Sequence, residues 1–126
     1  MKKYMIILFL FMSQFAFSQE IQNIEFKYDR EFKPYVEMTV KNSNNKYITN
    51  IEFSIAYHWI YGDMWDVLSY KYEKKMVQVN IPANSSKFIS FYVSNIEDYK
   101  LSNVNFSRIR FSDSTIMDFN KRQNEY

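Results

Sequence analysis

Apolar and polar residues alternate with a period of two along almost all of this chain after its first eighteen residues, and no stretch carries the three-to-four spacing of an amphipathic helix. Ile24, Phe26 and Tyr28 alternate with Glu25 and Lys27, which predicts a first strand. Val36, Met38 and Val40 alternate with Glu37, Thr39 and Lys41 in a second, reached through the polar connection from Asp29 to Pro34. That strand closes on the turn formers Asn42-Ser43-Asn44-Asn45. The third strand is the longest. Ile51, Phe53, Ile55, Tyr57, Trp59 and Tyr61 share one parity, Glu52, Ser54 and His58 take the other, and Gly62-Asp63 ends the run. Because side chains on a strand alternate between faces, all members of the first set are expected on the core side if any one of them is.

Val67 to Tyr72 reads as a shorter strand, separated by the charged Glu73-Lys74-Lys75 from a further one in which Val77, Val79 and Ile81 alternate with Gln78 and Asn80. Pro82 stops that strand because it has no N–H to give to a ladder. Asn84-Ser85-Ser86 turns the chain into Lys87 to Val93, which is apolar on both faces and is therefore expected to be central. A loop from Asn95 to Ser102 follows. Val104 and Phe106 then share one parity while Ile109 and Phe111 share the other, so a β-bulge or a break between two short strands is expected at Ser107-Arg108. Ser112-Asp113-Ser114 makes a turn into Thr115 to Phe119, and Asn120 to Tyr126 is a polar tail. Seven to eight short strands at this spacing predict an all-β, antiparallel β-sandwich with Greek-key connections, and a closed barrel is the alternative.

The first eighteen residues follow a different logic. Lys2 and Lys3 precede the apolar run Tyr4 to Met12, and Ala16 and Ser18 put small residues at −3 and −1 of a cleavage point before Gln19. This is the layout of a cleavable signal peptide, too short to span a bilayer; an uncleaved N-terminal anchor is the alternative. The expectation is an exported product, periplasmic or extracellular, with residues 1–18 as signal and 19–126 as a single domain. The chain has no cysteine, so a lipobox and disulfides are both excluded. Lys2 and Lys3 are the two residues by which Lys+Arg (16) exceeds Asp+Glu (14), so the processed chain is close to neutral. A neutral chain has no basic footprint for nucleic acid and no polybasic membrane patch. Only one glycine is present, so asparagine is expected wherever the backbone needs a positive φ.

Val40-Lys41-Asn42, then Thr49-Asn50-Ile51 opening an alternating strand, then Ile81-Pro82-Ala83-Asn84-Ser85 entering another, are similar to the immunoglobulin-like domains of bacterial exported proteins, including the FxLYD group. Those domains carry a V-x-N strand end, an aromatic-ended strand and a proline–glycine turn leading to serine, in that order. Arg110 to Thr115 resembles the hairpin that closes such domains, with Asn84 and Ser114 standing where the group has glycine. Phe53 to His58 approximates the namesake motif, with an extra residue before Tyr57 and His58 in place of an aspartate. The resemblance covers roughly residues 35–118. It implies an accessory or interaction module rather than an enzyme, and it implies that Trp59 fills the centre of the domain as the strand-C tryptophan of immunoglobulin domains does.

Chemistry is sparse. His58 is the only histidine and stands on the polar parity of its strand, so it is expected at the surface. Without cysteine or a second histidine, transition-metal binding is not expected, and neither is any cofactor. Asp63 and Asp66 flank Met64-Trp65 and suit a solvated turn better than a pair of glycosidase carboxylates. Asp113 is expected to cap its own turn. The aromatic group Trp59, Tyr61, Trp65, Tyr70 and Tyr72 is the one candidate site, with Tyr61, Trp65, Tyr70 and Tyr72 as its ligand-facing members. The competing reading is that the group merely divides between core and surface. The functional expectation is a non-catalytic binding or scaffolding domain whose partner, a protein or a glycan, the residues do not name; a small glycan-binding module using the aromatic hairpin is the alternative, and a hydrolase a poor third for want of acid–base groups.

Overall fold

The computed structural model describes residues 19–120, so the expected signal peptide and most of the polar tail lie outside the described residues. Among the described residues, seven strands run in the order β1 (Gln19–Tyr28), β2 (Pro34–Asn42), β3 (Ile48–Trp59), β4 (Tyr70–Ile81), β5 (Ser85–Tyr92), β6 (Tyr99–Phe111) and β7 (Ile116–Asp118), with one 3-10 turn at Val67–Ser69. They form two antiparallel sheets, one ordered β1-β2-β5 and the other β4-β3-β6-β7. The inward parities of both sheets meet in one core built from Val36, Met38 and Val40 of β2, Ile51, Phe53, Ile55 and Tyr57 of β3, and Ile89, Phe91, Ile109 and Phe111 from their neighbours. Phe53 stacks on Phe91 across the sheets, with ring centroids 4.9 Å apart.

Asparagine does stand in for glycine. Positive φ occurs at Asn23, Asn80 and Asn84, as well as at Phe32, Asp98 and Ser114, and no glycine has it. Asn23 sits where β1 shifts register against β2, and Asn80 where β4 shifts against β3. The parity switch in β6 is a bulge: Glu52 pairs with Arg108 but Phe53 with Phe106, leaving Ser107 as the extra residue. Ser107 is buried and its hydroxyl donates to Glu52 Oε1 at 2.9 Å.

Several expectations need correction. Val67 to Tyr72 and Val77 to Ile81 are not two strands. Asp66 Oδ1 accepts from the Leu68 N–H (2.9 Å), which starts the 3-10 turn, and the chain then runs unbroken from Tyr70 to Ile81. Two of the three charges that looked like a break are matched along the way: Tyr57 and Ser94 donate to Glu73, and Lys75 Nζ donates to the Tyr92 carbonyl at 2.7 Å. β5 is an edge strand rather than a central one, and its outward Phe88 and Tyr92 are exposed. β6 begins at Tyr99, inside the stretch read as loop.

The upper end of the molecule carries the β3–β4 connection, which is where the candidate site lies. The lower end is pinned by Asn42, whose fully buried side chain donates from Nδ2 to the carbonyls of Lys46 (2.8 Å), Pro82 (3.1 Å) and Ile81 (3.3 Å) and accepts from the Asn44 N–H (3.1 Å). One side chain thus ties the end of β2 to the end of β4 in the other sheet.

Candidate functional site

The connection between β3 and β4 is short of apolar cover but not of backbone order. The Gly62 N–H donates to the Trp59 carbonyl (3.0 Å), Asp66 N–H to the Asp63 carbonyl (3.1 Å) and Ser69 N–H to the Asp66 carbonyl (3.0 Å). Asp63 Oδ1 accepts from the Trp65 N–H (3.0 Å). Both aspartates therefore serve their own turns, as expected, and Asp113 does the same by accepting from the Thr115 N–H at 3.1 Å. Ile60 N–H reaches across to the Asp98 carbonyl at 2.9 Å and ties the hairpin to the β5–β6 loop. Glycine is required at position 62 for space: a Cβ there would collide with Ser69 Oγ and lie 2.6 Å from its Cβ.

On this pinned backbone the side chains point outward. Ile60, Tyr61, Met64, Trp65, Val67 and Leu68 are all exposed, Trp65 at 91 % and Leu68 at 85 %. Sequence reasoning singled out Tyr61 and Trp65 but missed the aliphatic members, because Val67-Leu68 looked like strand interior.

Trp59 is not in the core. It is 41 % exposed, and the reason is depth rather than direction. β3 ends at Trp59, β4 begins opposite His58, and among the described residues Trp59 pairs across strands with Tyr99 alone, at the very start of β6. The residue has the core-facing parity but stands beyond the rim of the opposing layer, where its ring packs edge-to-face on Tyr61 at 5.7 Å. His58 is the converse case. It lies on the outer face yet is only 6 % exposed, because Tyr70, its partner on β4, packs edge-to-face against the imidazole at 4.8 Å.

The structure thus divides the five aromatics. Tyr61 and Trp65 belong to the tip, and Trp59 underlies it. Tyr70 and Tyr72 lie on the outer face of the four-stranded sheet, with ring planes 22° apart and centroids 6.4 Å apart. There they form one wall of a cleft of about 540 Å³ whose floor is Ser54 and Ala56 and whose far wall includes Asn103 and Asn105 of β6. A larger concavity of about 750 Å³ lies by the β1–β2 turn, lined by the mutually compensating charges of Asp29, Arg30, Glu31 and Lys33.

Two of the titratable groups with displaced pKa values, Tyr57 and Glu73, are hydrogen-bonded to each other. Burial, together with the hydrogen bond to Glu73, pushes the Tyr57 hydroxyl up to about 12. Burial pushes Glu73 up, but hydrogen bonds from the Ser94 hydroxyl and from Tyr57 outweigh it and hold the carboxyl below its ordinary value. Among the described residues no three His, Cys, Asp or Glu side chains are grouped to hold a metal ion, and no helix is long and apolar enough to cross a membrane. No protein-family model, curated protein or solved structure matches this chain.

Proposed function

We propose that this chain is an exported, non-catalytic immunoglobulin-like domain that binds a protein partner through the tip of its β3–β4 hairpin. The observation that carries the reading is the tip itself: six large apolar side chains in solvent on a backbone held by its own hydrogen bonds. Exposed apolar groups of this size mark interaction surfaces, and a rigid scaffold lowers the ordering cost of binding. Trp and Tyr are also the residues that most often anchor such contacts.

The finer assignments have their own support. Export rests on Lys2-Lys3, the short apolar run and the Ala16-x-Ser18 site. The immunoglobulin-like reading is supported by the strand order β1-β2-β5 against β4-β3-β6-β7. The likeness to the FxLYD group is supported by the positive φ of Asn84 and Ser114, the two positions where that group carries glycine. A binding role is also favoured over catalysis because His58 is buried under Tyr70 and its Nε2 has no hydrogen-bond partner among the described residues.

The test compares the exported wild-type protein with Leu68→Asp. The wild type should migrate in a native complex larger than the monomer, and Leu68→Asp should release the monomer with an unchanged melting temperature. A wild type that stays monomeric in the exported fraction, or a complex indifferent to the substitution, would refute the proposal.

A further inference from the structure

We infer that the outer face of the four-stranded sheet is a second binding site, distinct from the hairpin tip, and that its ligand is an acidic oligosaccharide built of uronic acid units. The cleft has the dimensions for it: about 540 Å³ falls within the range of small-ligand sites. Its floor is made of Ser54 and Ala56, small residues that leave the sheet surface low between two raised walls. On the β4 side the nearly parallel rings of Tyr70 and Tyr72 offer apolar faces with negative π density. The C–H face of a pyranose carries the complementary partial charge. On the β6 side Asn103 and Asn105 offer amide groups that both donate and accept, which is what sugar hydroxyls require.

The charge pattern selects among sugars. Among the described residues, Lys74 is the only charged one in the lining, no carboxylate lines the cleft, and Lys74 has no ion-pair partner. An unpaired ammonium beside stacking rings and amides suits a carboxylate carried on a ring, and charge-assisted hydrogen bonds of that kind are the strong ones. The wall is also pre-organised. The Tyr70 ring is braced by the edge contact with His58 at 4.8 Å, and its hydroxyl donates to the Met64 carbonyl at 3.1 Å. Little ordering of that side chain remains to be done on binding. This gives the buried His58 a role as a support for the cleft wall. Neither Trp65 nor Leu68 lines the cleft, so the proposal stands apart from the one made for the tip.

Calorimetric titration of the processed chain with hexagalacturonate, cellohexaose and hexaglutamate tests it. Hexagalacturonate should bind, cellohexaose more weakly, and hexaglutamate not at all. Tyr72→Ala, which alters an exposed ring, should weaken hexagalacturonate by about tenfold. Lys74→Met should abolish the preference for hexagalacturonate over cellohexaose, and Leu68→Asp should leave both sugars unaffected. The proposal fails if neither sugar binds, if cellohexaose is preferred, if hexaglutamate binds as well as the uronate, or if Tyr72→Ala binds like the wild type.

Discussion

Removing one oxygen from Tyr57 tests how this cysteine-free sandwich closes its open side. The Tyr57 ring is in the core at 2 % exposure, and its hydroxyl donates to Glu73 Oε1 at 2.5 Å while accepting from the Ser94 N–H at 2.9 Å. Ser94 follows β5 in one sheet and Glu73 belongs to β4 in the other, so the hydroxyl bridges the two sheets. Tyr57→Phe keeps the ring and its packing. It deletes a hydrogen bond to a charged group, worth about 1.5–3 kcal/mol, but the cost is moderated because Glu73 is only half-buried and Ser94 Oγ still donates to its Oε2 at 2.6 Å. The expected loss is about 2 kcal/mol, out of a total of roughly 5–15 kcal/mol, and a fall in melting temperature of about 10 °C.

The pH dependence has a definite sign at each end. Tyr57 titrates higher in the folded state than its ordinary value, so its contribution is full below about pH 10 and is lost as pH rises through about 12. Glu73 titrates lower than its ordinary value, so its contribution is present above the usual carboxylate range and is lost as pH falls below it. Urea melts of wild type, Tyr57→Phe, Glu73→Gln and the double variant measure both. A coupling energy near zero in that cycle, or a Tyr57→Phe variant as stable as wild type at pH 7, would refute the bridging role.

Asn42→Ala should cost about 3 kcal/mol in urea melts, because it strips a fully buried amide from three carbonyls and one N–H; a loss under about 1 kcal/mol would show that water replaces it. Gly62→Ala should cost about 1–3 kcal/mol through the clash with Ser69, and Gly62→Ala/Ser69→Gly should recover most of it in thermal melts. Trp59→Ala should cost only about 1–2 kcal/mol, well below a core tryptophan, and Trp65→Ala about 0.5 kcal/mol or less; a loss above about 3 kcal/mol for Trp59 would put that ring back in the core.

Much of the fold was legible because burial on one face and solvent on the other force an alternation that the residues of β2 and β3 obey. Val36, Met38 and Val40, and Ile51 through Tyr57, went to the core as read. The bulge at Ser107 was legible for the same reason, since an extra residue reverses parity and apolar residues lie on both sides of it. What failed were inferences that need the third dimension. Parity tells which way Trp59 points but not that β3 outruns the layer beneath it. Phe88 and Tyr92 made β5 look doubly covered, although side-chain polarity does not report whether a neighbour exists. Glu73-Lys74-Lys75 looked like a break because the partners of Glu73 and Lys75, namely Tyr57, Ser94 and the Tyr92 carbonyl, are distant in sequence. The candidate site was half visible: aromatic residues flagged the hairpin, while Leu68, Asn103, Asn105 and Lys74 had no local signature and are brought in by the 3-10 turn and by cross-strand register.

Photo-crosslinking from position 65 tests the central claim most directly. With a benzophenone side chain in place of Trp65, cells exporting the protein should yield one discrete adduct. The same group at Phe88, an exposed residue of β5 in the three-stranded sheet, should give none, and adding Leu68→Asp should abolish the adduct at position 65. Adducts of equal yield from positions 65 and 88, or an adduct at 65 that survives Leu68→Asp, would contradict binding through the hairpin tip.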